Sequence, residues 1–100
     1  MDFEKKKELQ SFEWDQENTN KIYRKHKVKT FECEEVFFDE NKVILKDIQH
    51  SGEEERYVLL GKTKKERLLF IVFTTRQHKL RIVSARDINK KERGLYEKKT

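Results

Sequence analysis

Arg81 and Arg86 bracket one short segment, RIVSAR, and Arg76 lies five residues before it. A guanidinium is permanently charged, and its fork of donors matches the oxygens of a phosphate. Glu92 and Tyr96 follow at a spacing of four, which places them on one face of a helix. Metal-free RNA cleavage needs a group to take the ribose 2′-hydroxyl proton, a group to protonate the leaving oxygen, and cations for the pentavalent phosphate. Arg76, Arg81 and Arg86 can be the cations, and Glu92 and Tyr96 can supply or orient acid and base. A second reading stands beside it: Glu92 pairs with Arg86 or Arg81 to pin the helix to a sheet, and Tyr96 packs as cover. Strand alternation puts Arg81 opposite Leu80 and Ile82 and gives Arg86 the other parity, so Arg86 reaches the same edge only from the strand exit. Arg76 ends the neighbouring strand across a short turn, and Arg56 opens a strand on its other side.

Other chemistries find little support. The three histidines, His26, His50 and His78, are far apart, and the single cysteine, Cys33, is remote from them, so no zinc site is expected. Cys33, between Phe31 and Val36, reads as a small buried hydrophobe. Three glycines are too few for a phosphate loop, and no serine nucleophile motif is present. His26 beside Lys25 at a helix end reads either as a helix cap or as a supporting site residue. No cofactor is expected.

The elements that must position these groups fit one domain over residues 1–100, with residues 1–10 frayed. Charged residues make up 43% of the chain, yet seven Phe, three Tyr and one Trp fall in apolar runs, which excludes disorder. Residues 1–50 carry 10 basic against 12 acidic side chains, and residues 51–100 carry 14 against 7. That basic second half suits a polyanionic partner such as nucleic acid. One cysteine permits no internal disulfide, and no stretch is apolar enough for a membrane span or a signal peptide, so a cytoplasmic location is expected.

Residues 11–14 read as a short strand. Asp15 caps a helix over 16–26, and Thr30 caps another over 31–38. Strands follow at 43–48, 56–62, 67–75 and 79–85, joined by a polar connection over 50–54, a loop at 63–66 and a turn at Gln77–His78. Gly61 marks a bulge or a close approach. The continuous apolar run in RLLFIVFTT predicts a central strand covered on both faces. Asn89 with Glu92 resembles a capping box opening a helix over 90–98. The fold class is α+β, with a four- to five-stranded antiparallel sheet, two N-terminal helices and a C-terminal helix packed on it.

Several blocks together resemble the BrnT-type toxins of bacterial type II toxin–antitoxin systems. They are FEWD (Phe12–Asp15), Lys25–His26, EEVF (Glu34–Phe37), Glu54–Gly61, RLLFIVFTTR (Arg67–Arg76), RIVSAR (Arg81–Arg86) and the KKERxxY block from Lys90 to Tyr96. The resemblance runs from about Ser11 to Lys98. It implies a RelE-like fold and a metal-independent endoribonuclease that arrests growth. It also implies neutralisation by a BrnA-type ribbon-helix-helix antitoxin, in a complex that binds operator DNA. Carried over by position, it places Arg76, Arg81, Arg86, Glu92 and Tyr96 in the catalytic site, with Lys25, His26 and Arg56 binding RNA or supporting. One departure is Lys27, where the family often has glycine, so the end of the first helix is expected to differ. The reading from another class is a non-catalytic basic module that binds RNA or a protein. A third uses the arginines for antitoxin contact alone.

Overall fold

The structure, a computed structural model, describes residues 11–47 and 54–99. The expected fraying of residues 1–10 and the connection through His50 lie outside the described residues. Eight elements follow in order: β1 (Ser11–Glu13), α1 (Gln16–His26), α2 (Thr30–Phe37), β2 (Val43–Asp47), β3 (Arg56–Lys62), β4 (Leu68–Arg76), β5 (Lys79–Asp87) and α3 (Lys90–Lys99). The α+β class stands as expected. The described sheet has five strands in the order β1-β5-β4-β3-β2.

The sheet is mixed, where an antiparallel one was expected. β2 to β5 form an antiparallel meander, but β1 runs parallel to β5, with Phe12 opposite Leu80. A hairpin forces antiparallel pairing, whereas β1 is separated from β5 in sequence by every other strand, so no tight turn fixes its direction. Apolar periodicity carries no information on that direction.

Asp15 caps α1 through Oδ1, which accepts the amides of Glu17 and Asn18 at 2.9 and 3.3 Å. The helix ends at Lys27 in the left-handed region, at φ 56°. Thr30 is the first residue of α2 and not its cap; Lys29 takes that position, and the Glu32 carboxylate accepts the Lys29 amide at 2.9 Å.

Both N-terminal helices lie on one face of the sheet. Leu59, Leu69, Ile71, Phe73, Leu80, Ile82 and Ala85 turn toward that face and bury against Ile22, Val28, Cys33 and Val36. α2 crosses β3 so closely that a Cβ on Gly61 would meet Val36 Cγ1 at 2.7 Å, so Gly61 marks a close approach. The opposite face is only partly covered. There α3 lays Tyr96 on Val43 and Leu60, beside Phe70, Leu68 and Val58. β4 is the central strand, as its apolar run predicts, but its burial alternates from Leu68 to Phe73, because α3 covers the second face only in part; Thr74, on that same face, is buried. Among the described residues, no helix covers the other end.

Candidate active site

The open end of the second face is polar. Registers across the sheet align Glu13, Arg81, Thr74, Arg56 and Asp47 in one row over five strands. Arg81 and Arg56 flank Thr74 two strand spacings apart, about 10 Å. Arg76 lies beyond this row on the same side of β4, two residues after Thr74. The resulting groove, about 740 Å³, is lined by Arg56, Arg76, Arg81, Thr74 and Glu54, with Asp15, Glu17, Asn18 and Lys21 from the start of α1. Among the described residues its charged lining is four cations against three carboxylates.

Glu54 sits among the arginines. Arg76 donates to it from Nε and Nη2, both at 2.9 Å. Those hydrogen bonds hold the Glu54 carboxyl below its ordinary value; burial opposes them, and the charges of Arg76, Arg81 and Arg56 add to them. The same pair raises the Arg76 pKa.

A bulge decides where Arg86 points. Val72 pairs with Ser84 but Phe73 pairs with Ile82, so β5 carries one extra residue there. The insertion resets the alternation: Ala85 joins Leu80 and Ile82 in the core, and Arg86 returns to the face of Arg81. Asn18 of α1 secures the bulge by donating from Nδ2 to the carbonyls of Ile82 and Val83 at 2.8 and 3.2 Å.

Arg86 nevertheless does not join the groove. Five residues of strand separate it from Arg81, roughly 15 Å, and it lies over the Phe70 ring with Cζ 4.0 Å from the centroid. It donates to both Glu92 carboxylate oxygens at 2.9 and 2.7 Å. Glu92 also accepts the Asn89 amide at 3.0 Å, and its own amide donates to Asn89 Oδ1 at 2.8 Å, which completes the capping box. The Arg86 hydrogen bonds hold the Glu92 pKa down against its burial. Tyr96 is 4% exposed and donates to Asp39 Oδ2 at 2.7 Å. Burial and that bond together push the phenol's pKa up. Burial pushes Asp39 up as well. The Tyr96 hydroxyl, the amides of Asn41 and Lys62 and the Lys62 charge outweigh it and hold the carboxyl below its ordinary value.

The expected site therefore separates into two groups on one face. Arg56, Arg76 and Arg81 converge on the groove; Arg86, Glu92 and Tyr96 join α3 to the sheet. Lys25 and His26 lie at the far end of α1 from the groove, with Lys25 exposed.

Sequence reading missed three positions. Arg67 reads as the opening of a strand, but it donates to Asp87, to Glu32 and to the carbonyls of His26 and Lys27, and so ties α1, α2 and β5 together. Its partners lie 20 to 41 residues away, beyond any local pattern. Asn18 and Glu54 carry no local signal either, although Glu54 belongs to one of the resembling blocks. Among the described residues, no three His, Cys, Asp or Glu side chains gather into a metal-ligand set, and no helix is long and apolar enough to cross a membrane.

A family model described as "Ribonuclease toxin, BrnT, of type II toxin-antitoxin system" matches residues 14–92, and the chain belongs to that family. No curated protein matches the chain.

Proposed function

We propose that this member of the BrnT ribonuclease toxins cleaves RNA in the groove of Arg56, Arg76 and Arg81, without a metal ion. The observation that carries the reading is the convergence of three guanidiniums from three adjacent strands on one open end of the sheet. A rigid sheet holds them at fixed spacing, so charge developing on a phosphorane meets cations already in place. The chemistry is attack of the ribose 2′-oxygen on phosphorus, its proton passing to water in the groove, with departure of the 5′-oxygen, which takes a proton from water; a 2′,3′-cyclic phosphate remains. Arg81 flanks Thr74 on β5 and faces the scissile phosphate. Arg76 and Arg56 hold the phosphodiester on either side. Arg86, Glu92 and Tyr96 act by fixing α3 over the sheet and not by touching substrate.

The partner in this reading is a ribbon-helix-helix antitoxin that covers the groove, and the pair binds operator DNA. The toxin acts in the cytoplasm, where RNA is exposed to it. Purified RNA incubated with the protein in excess chelator tests the reaction. Cleavage should persist and yield 2′,3′-cyclic phosphate ends, and RNA with 2′-deoxy sugars should stay intact. Cleavage that stops in chelator and returns with a divalent cation would overturn the metal-free mechanism.

A further inference from the structure

Glu54 does not belong to an ordinary surface ion pair. Arg76 grips its two oxygens through both arms of a guanidinium fork, at 2.9 and 2.9 Å, which is the geometry a phosphate would adopt. Arg81 and Arg56 stand near enough for their charges to act on the same carboxylate. The carboxylate thus occupies a place in the groove where an incoming phosphate would meet the same guanidinium fork. We propose that Glu54 is a built-in anion occupant of the groove, a carboxylate that a phosphodiester must displace from Arg76 before the three arginines can engage it.

The consequence is selectivity by avidity. A lone anion exchanges one guanidinium contact for another and gains little. An extended phosphate backbone displaces Glu54 and also reaches Arg81 and Lys21, so one lost contact is offset by others made along the chain. The nearly balanced lining of the groove has the same effect, because the excess positive charge is small until Glu54 is moved aside. The device suits a ribonuclease that must ignore the phosphate and nucleotides of the cell and answer to polymer. It rests on the reading of the groove as the RNA site, but the occupancy itself is a property of the free protein. Glu54 is 39% exposed and precedes β3, so its replacement leaves the core intact.

Calorimetric titration of the native chain, Glu54→Gln and Glu54→Ala tests this with two probes. One is inorganic phosphate and the other a 2′-O-methyl oligoribonucleotide, which the proposed reaction cannot cut. Both variants should bind phosphate about tenfold more tightly than the native chain, a difference of about 1.4 kcal/mol. They should bind the oligonucleotide more tightly as well, by a smaller factor and with an unchanged salt slope, because the polymer reaches the same phosphate contacts once Glu54 is displaced. Arg76→Ala in the Glu54→Gln background should abolish the gain. Phosphate binding that is equal or weaker in both variants would overturn the proposal. If the native chain cuts no RNA, the proposed function falls while the phosphate titration still decides the role of Glu54.

Discussion

Replacing Glu92 by Ala separates a scaffolding role from a catalytic one. Glu92 is a multiply bonded carboxylate of α3: it takes both arms of Arg86 and caps the helix through the Asn89 amide. Its side chain is 14% exposed, and that of Arg86 is 35% exposed. A hydrogen bond to a charged group contributes roughly 1.5–3 kcal/mol when buried, and a capping interaction about 1 kcal/mol. Arg86 keeps partial access to water, so the ion pair counts at the lower end. The expected loss is about 2–3 kcal/mol, which lowers the Tm of a chain this size by roughly 10–20 °C. Urea and thermal unfolding measure it, and a double-mutant cycle with Arg86→Ala isolates the pair, with an expected coupling of about 1–2 kcal/mol. The contribution is also pH-dependent. Glu92 has a folded pKa below its ordinary value of 4.5, so its stabilisation is complete above that value and fades as pH falls through the folded pKa. The acid limb of the stability curve should therefore be shallower in Glu92→Ala. At temperatures where the variant is folded, RNA cleavage should survive. A variant as stable as the native protein but unable to cut RNA would refute the reasoning and make Glu92 catalytic.

Further outcomes follow from single positions. Gly61→Ala should cost about 1–3 kcal/mol by chemical denaturation, because its methyl meets Val36 Cγ1 at 2.7 Å and the backbone oxygen of Val36 at 3.2 Å. Lys27→Gly should raise stability by about 1 kcal/mol in the same assay, since Lys27 adopts φ 56° at the end of α1, a conformation glycine takes without strain. Cys33 should resist alkylating reagents in the native state at pH 8 and react fully in urea. It is 1% exposed, and burial pushes its pKa up to about 12, with the charges of Glu32 and Glu34 adding to the shift.

The sequence was most legible where chemistry is local. Asp15 caps a helix because its own side chain reaches amides two and three residues on, and the Asn89–Glu92 box closes within one turn. The helices and the meander could be read from apolar spacing, and the hairpin at Gln77–His78 from its position between two strands. Legibility failed wherever the answer depended on residues far apart in the chain. The parallel pairing of β1 depends on where β5 arrives. The bulge at Val83 reversed the parity of Arg86, and nothing in RIVSAR announces it, since Asn18, which secures it, lies 64 residues away. The conspicuous RIVSAR motif therefore suggested one arginine cluster where the fold makes two. Arg56 opens the strand on the other side of β4, as read, and there completes the groove, because the row of Arg81, Thr74 and Arg56 crosses all three strands.

Single-turnover cleavage by the native protein, Arg81→Ala and Arg86→Ala, in chelator and at a temperature where all three are folded, tests the central claim most directly. Removing a cation that meets developing charge in the transition state costs about 10²–10³ in rate. Arg81→Ala should show that loss, while Arg86→Ala should lose stability and keep its rate. Equal losses in both variants, or a loss in Arg86→Ala alone, would contradict the assignment of the groove as the site of cleavage.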